Sequence, residues 1–469
     1  MKTLFNVAAF VLIAVTFLGF LNYIVQKKRS YVPVILFCLI LVSPLIPTGL
    51  PFKKYVRLNE IFLIATMLLY YAAIVVKNKE IGLRKIEILL LLIGCSLLFS
   101  ILHGYLFLDV IPTPLDFNQV FNIFMFCFYL RFGLFFDHHD IDTRVMGKIF
   151  FPAILLYNFI SISLLFPWGI ENIMPYYLPE HMTTRFQEFY TSNLYLPRSM
   201  GIVGSANSSA ILTAIIVLLI IAWMIYTPRT DKKHYLLISI LLYSSLLNLF
   251  LTFSRNALLS FVLGTAYLVI TTKSTYKKNV SRIVLLSFIF IFLISIGLLY
   301  TVEFGGISYE NLRGFNFTIV FGGGEDSAFS GRLYHWQMGF WKSMLSPMFG
   351  WGPAMDNNIL AVSMGLDDTI RGFYAPHSEY IDLLLTTGII GFAIFLLFFI
   401  TIYKKAGMVA RSKIDYFSMF LGRSVQAIII AIAIFSLADG FWYNAIVPAL
   451  LMLLFGAMYA VDKKRKALI

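Results

Sequence analysis

Long apolar runs succeed one another along this chain, each closed by a short polar or charged break, and they leave it few folds to adopt. About thirteen can be marked, at 4–25, 31–46, 59–76, 86–108, 118–136, 149–167, 202–226, 235–253, 256–272, 282–302, 378–403, 422–438 and 444–461. A helix of about 20 apolar residues crosses the hydrocarbon core of a bilayer. In lipid, every backbone polar group must find its partner within the protein, so runs of this length predict helices. Only 13% of the residues are charged, against about 25% in a soluble domain. The expected fold class is therefore an all-α polytopic integral membrane protein with about 12–13 transmembrane helices, as a single transmembrane domain over 1–469. The run at 4–25 is too long for a signal-peptide core and has no small-x-small cleavage site, so it is expected to be a retained first span.

The basic residues give the chain its expected orientation. Most of the 37 lysines and arginines fall in alternate short loops, among them Lys27–Arg29, Lys77–Lys85, Arg131–Lys148, Arg229–Lys233, Lys273–Arg282, Lys404–Lys413 and Lys463–Lys466. An excess of Lys and Arg stays cytoplasmic. The alternation therefore predicts a cytoplasmic C-terminus and an external N-terminus. It also places the two long loops, 168–197 and 303–376, on the outer face, where long ordered loops usually carry function. The net charge of +13 is divided among these loops and makes no basic patch for nucleic acid. Cys38, Cys95 and Cys127 all sit inside apolar runs, which implies neither a disulfide framework nor a metal cluster.

The stretch from Ser330 to Phe392 stands apart from the rest. Leu333, Trp336, Phe340, Trp341 and Met344 recur at helical spacing, while Arg332, His335 and Lys342 share another stripe. This predicts an amphipathic helix over 331–345 with Ser330 as its cap. Met348-Phe349-Gly350-Trp351-Gly352-Pro353 then breaks it. His377 arrives just before the next apolar run, where a helix-start hydrogen-bonding role and a catalytic role both suit it. Arg255 lies in a very tight outer turn between two apolar runs. Snorkelling to headgroup phosphates suits such an arginine, as does a functional contact. Arg198 precedes a small-residue span, Gly201 through Ala210, that contains Asn207 and permits close helix packing. Glu325-Asp326 and Asp367-Asp368 are adjacent pairs in loops rather than a spaced ligand set, so no metal site and no cofactor is expected.

Taken together, four motifs resemble the O-antigen ligase and Wzy-type polysaccharide polymerase superfamily. They are Arg198-Ser-Met-Gly201 leading to Asn207; Ser254-Arg255 at an outer turn; Gly331-Arg332-x-x-x-Trp336 followed by Pro347-x-x-Gly350-x-Gly352; and Pro376-His377-Ser378-Glu379-Tyr380 followed by Gly388-x-x-Gly391. The resemblance covers roughly 198–395. This chain has Ser378 where family members often have Asn, and Ala206-Asn207 where they often have Pro-Asn. The resemblance implies an all-helical fold related to the GT-C-like glycosyltransferases that use lipid-linked sugars. It implies glycan transfer on the outer face of a bacterial cytoplasmic membrane. The implied donor is an undecaprenyl-diphosphate-linked glycan and the implied acceptor a glycan hydroxyl, with a chain-length regulator as a protein partner.

The residues suit that chemistry. A diphosphate leaving group needs charge stabilisation, and arginine offers a permanent charge on a planar fork of donors. Arg255, Arg332 and Arg198 are the candidates for that grip. The attacking hydroxyl needs a base, and His377 is the candidate. A nucleotide sugar is not required, and the sequence has no Walker-type phosphate loop and no outer D-x-D pair. A polymerase joining repeat units is the favoured reading. The alternative is a ligase transferring the glycan to lipid A-core. A transporter or flippase is a remoter reading, because such proteins place ionisable residues at mid-span, whereas here they gather at one face.

Overall fold

The computed structural model describes residues 31–42, 64, 83–112, 114–136, 143–164, 205–226, 232–252, 254–272, 328–353, 377–411, 416–442 and 445–468. Among these there are eleven helices and no strand. They are α1 (Val32–Val42), α2 (Lys85–Phe107), α3 (Pro114–Gly133), α4 (Thr143–Ser163), α5 (Ala206–Tyr226), α6 (Lys232–Leu251), α7 (Arg255–Thr271), α8 (Ala328–Met344), α9 (Glu379–Arg411), α10 (Tyr416–Phe435) and α11 (Ile446–Leu468). Ten coincide with expected apolar runs, and α8 coincides with the expected amphipathic helix. The runs at 4–25 and 282–302, nearly all of 59–76, the loop at 168–197, and the loop at 303–376 apart from 328–353 lie outside the described residues.

Apolar residues on both faces of one helix mark the surroundings. In α2, Leu89, Leu90, Ile93, Leu97 and Ile101 are buried while Ile88, Leu92, Phe99, Leu102 and Leu106 are exposed. Water disfavours the second set and lipid does not. α5 is buried along nearly all of its apolar length. α2, α5, α9, α10 and the Ile446–Lys463 part of α11 are each long and apolar enough to cross a membrane. The protein is an all-α polytopic membrane protein.

α10 lies at the centre, packed against α5, α7 and α9; α9 also packs on α2, and α3 packs on α11. The α3–α11 crossing is set by glycine. A Cβ on Gly133 would lie 2.5 Å from the Leu453 carbonyl oxygen, and one on Gly456 would overlap the Leu130 carbonyl, so only paired small residues allow this approach. Polar side chains tie α4 to its neighbours. Asn158 donates to the Ser245 hydroxyl at 2.8 Å, and Asn248 donates to the Asn158 carbonyl oxygen at 3.1 Å.

Charged pairs hold the helix ends that adjoin the basic loops. There Arg131 donates to both carboxylate oxygens of the buried Glu87 at 2.9 Å, and Lys405 pairs with Asp462. Arg423 donates to Gln426 at 3.1 Å and Tyr267 at 3.3 Å. This joins the ends of α2, α3, α7, α9, α10 and α11 that the loop charges assign to one face.

α9 is 33 residues long, about 50 Å of helix at 1.5 Å per residue, well beyond the ~30 Å hydrocarbon core. It is broken at Gly388, whose φ of 66° and ψ of −171° only glycine adopts readily. The loop after α8 fills the break. The Ile389 amide donates to the Pro347 carbonyl at 2.8 Å, Trp351 to Leu385 at 2.9 Å and Gly352 to Thr386 at 3.0 Å. Gly350, with φ of 71°, sits so close that a Cβ there would lie 2.5 Å from the Thr386 carbonyl carbon. Ser100 of α2 completes the clasp, donating to the Thr386 carbonyl and accepting from the Gly352 amide at 2.9 Å. Backbone freed by the break in α9 is thus paired inside protein.

α8 begins at Ala328, so Ser330 lies within the first turn and is not the cap that the sequence predicts. Its small residues Gly339 and Ser343 are buried, while Leu333, Phe340, Trp341 and Met344 are exposed. The apolar stripe of this helix therefore faces outward.

Candidate functional site

The polar end of the bundle is built around one turn. α10 stops at Phe435, and 436–442 carries the chain over to α11. The Glu379 amide donates to the Ser436 carbonyl at 3.0 Å, and the Ser378 hydroxyl reaches the same oxygen at 3.3 Å. The Tyr380 hydroxyl donates to the Ala433 carbonyl at 2.8 Å. In the other direction, the Phe441 and Trp442 amides donate to Glu379 Oε2 at 2.6 and 3.0 Å. Glu379 is fully buried, and among the described residues its Oε1 has no hydrogen-bond partner. From α7, Asn256 donates to the Phe435 carbonyl at 2.6 Å. From α5, Asn207 donates to Asp439, whose other oxygen accepts from the Gly440 amide at 2.9 Å.

These bonds bring the first turns of α5, α7 and α9 to one place. A helix N-terminus presents unpaired N–H groups and the positive end of the helix dipole, so three starts at one end favour an anion there. Arg255 is the first residue of α7 and is exposed. His377 immediately precedes α9, and with φ of 48° it is one of two non-glycine residues of positive φ among those described. That conformation costs energy for a residue with a Cβ and persists because the surroundings fix it. Here the bonds made by Ser378, Glu379 and Tyr380 do so.

A second imidazole faces the first. The rings of His335 and His377 stand edge to face with centroids 6.2 Å apart. Burial holds the His335 pKa below the usual histidine range, and the charge of His377 lowers it further. Two turns later, Lys342 lies over the Trp351 ring, 4.5 Å from its centre, and burial lowers its pKa too. α8 packs on α9, so the loop helix and the membrane helix meet at these rings.

The sequence-predicted site residues fare differently. His377 and Arg255 come to the same end of the bundle, joined through the turn after α10. Arg332 lies in α8, three residues before His335. Arg198 lies outside the described residues, as do Glu325, Asp326, Asp367 and Asp368. Among the described residues no three His, Cys, Asp or Glu side chains are grouped to hold a metal ion. Three residues gain a place that sequence reasoning had not given them. His335 had been assigned only to a polar stripe. Glu379 enters the sequence reading only as a member of the Pro376–Tyr380 motif. Asp439 went unnoticed, although a single acidic residue in the short break between two apolar runs is a visible signal.

Two anions or an anion and a hydroxyl can be handled by this arrangement: cationic and helix-dipole groups on one side, an imidazole on the other. A family model described as O-antigen ligase matches residues 240–396. That stretch contains Arg255, Arg332, His335 and His377, and its match bears out the resemblance drawn from the motifs. It supports glycan transfer of the O-antigen ligase and polymerase type, on lipid-linked glycan substrates in a membrane. No curated protein sequence matches the chain.

Proposed function

We propose that this chain, with the O-antigen ligase family pattern over 240–396, is a polymerase that joins undecaprenyl-diphosphate-linked repeat units into a cell-envelope polysaccharide. The convergence of His377 and the Arg255 helix start on the turn after α10 carries the reading. The hydroxyl oxygen of the acceptor glycan attacks the anomeric carbon of the donor. The bond from that carbon to the diphosphate oxygen breaks, and its electron pair leaves with the diphosphate. Arg255 and Arg332, with Arg198, grip the departing group, supported by the helix starts. His377 takes the hydroxyl proton. Direct displacement inverts the anomeric carbon. The lipid diphosphate already supplies the activation, so no nucleotide sugar is needed, and with arginines neutralising the leaving group the reaction proceeds without a metal.

The positive-inside pattern supports an outer-face position for the His377 end, and the family resemblance supports a bacterial cytoplasmic membrane. A ligase acting on lipid A-core is the second reading, favoured by the description of the matching family. Mass analysis of lipid-linked glycans in a deletion strain separates the two. Single repeat units accumulate if the chain is a polymerase, and finished polymer on the lipid accumulates if it is a ligase. Unchanged lipid-linked glycans and unchanged surface polysaccharide would overturn both. Purified enzyme is expected to keep its rate in excess EDTA. A loss restored by Mg²⁺ or Mn²⁺ would make ligands of Glu325, Asp326, Asp367 and Asp368.

A further inference from the structure

We infer that the turn at 435–442, which lies beyond the stretch matched to the family, is the platform that aligns the site, with Glu379 and Asp439 as its positioning residues. The inference rests on the reading that the His377 end carries the transfer. Three helices start there, and each is moored to the same few residues. α5 is tied through Asn207 to Asp439, α7 through Asn256 to Phe435, and α9 through Ser378, Glu379 and Tyr380 to Ala433, Ser436, Phe441 and Trp442. Arg255 is adjacent to one mooring and His377 is two residues from another. No direct bond between α7 and α9 is needed to set the spacing of these two residues, because both are referenced to one backbone.

The platform is itself rigid. Phe441 and Trp442 are buried, and the Trp442 ring packs edge to face on Phe126, Phe395 and Phe399 at 5.6, 5.0 and 6.2 Å. Glu379 makes the turn part of α9. One of its oxygens takes two backbone N–H groups that lie past the end of α10. A glutamine at 379 can keep its carbonyl oxygen on both amides, with its NH₂ where Oε1 now lies. An alanine frees the turn. The side chain is thus required as an acceptor and not as a charge, which separates positioning from chemistry.

The test uses full-length protein in nanodiscs, with lipid-linked glycan extracted from a deletion strain as substrate. Turnover is read beside the rate at which diethyl pyrocarbonate modifies His377, followed by peptide mass spectrometry. Glu379→Ala is expected to lower kcat by as much as about a hundredfold, as small misplacements of reacting groups do, with KM little changed and the His377 modification rate altered. Glu379→Gln is expected to restore both. Wild-type turnover and modification in Glu379→Ala at equal folded protein would overturn the inference, and so would a Gln variant as impaired as the Ala variant. Should Glu379→Ala not fold, Tyr380→Phe removes a single mooring. It is expected to slow turnover and shift the modification rate, and an unchanged result in both would overturn the inference. The modification rate needs no substrate, so it still tests the platform if His377→Gln shows that the transfer reading fails.

Discussion

Glu87 and Arg131 pair at one end of the bundle, as do Lys405 and Asp462, whereas Glu379 at the other end gives one oxygen to two backbone amides. At the first end, charges on neighbouring helices neutralise each other, and each pair fastens two helices. At the second, the groups around the turn are moored mostly to backbone, with Asn207 bonded to the Asp439 side chain, and Arg255 lies at the surface of its helix start. Buried ion pairs resist losing one partner, so the first end is built for holding. The second end gathers helix N-termini, a cation and two imidazoles, an arrangement that stabilises an anion brought from outside. Holding is therefore built into one end, and the proposed transfer belongs to the opposite end of the same helices.

That division can be broken by substitution. The largest effect is expected from His377→Ala, which should lower transfer by about 10²–10⁴-fold with normal protein yield, measured as product per amount of folded enzyme. Glu87→Ala should do the reverse. It breaks the buried pair with Arg131, which costs about 3–5 kcal/mol, so the midpoint of thermal unfolding in detergent should fall while turnover per folded molecule is kept. A large loss of specific activity in Glu87→Ala would erase the contrast between the ends. Arg255→Lys keeps the charge and loses the fork. Hydrogen bonds to charged groups are worth about 1.5–3 kcal/mol, so a drop of roughly 10- to 100-fold in turnover is expected. Full activity would make Arg255 a headgroup anchor. Smallest is Gly388→Ala, where the glycine-only backbone conformation alone costs about 1–3 kcal/mol. Displacement of the 346–352 loop adds to that, and both lower the unfolding midpoint. An unshifted midpoint would mean that the clasp does not hold the loop to α9.

Much of this architecture is legible in the sequence, because a bilayer punishes exceptions. An apolar run of sufficient length can do little but span, and lysine and arginine stay on one side. The turns at Ser254-Arg255 and Pro376-His377 are legible for the same reason, as isolated ionisable residues beside apolar runs. The clasp is half legible. Gly350, Gly352 and Gly388 announce unusual backbone, but their mutual contact joins segments with no sequence proximity. The mooring turn was missed because its bonds run mostly to carbonyls and amides of Ala433, Phe435, Ser436, Phe441 and Trp442, and a backbone acceptor leaves no mark on side-chain identity. The expected cap at Ser330 failed because α8 starts two residues earlier, at Ala328, and helix ends are set by context as much as by capping chemistry.

The central claim is that His377 moves a proton and is more than a helix-start residue. The direct measurement is the transfer rate of His377→Gln against wild type, at equal folded protein and with the same lipid-linked donor. Glutamine keeps a hydrogen bond and has no lone-pair nitrogen to accept a proton at neutral pH. The predicted result is a loss of at least about a hundredfold, close to that of His377→Ala, with the protein yield unchanged. Near-wild-type transfer by His377→Gln would contradict the account and leave the diphosphate-binding groups and proximity as the whole of the catalysis.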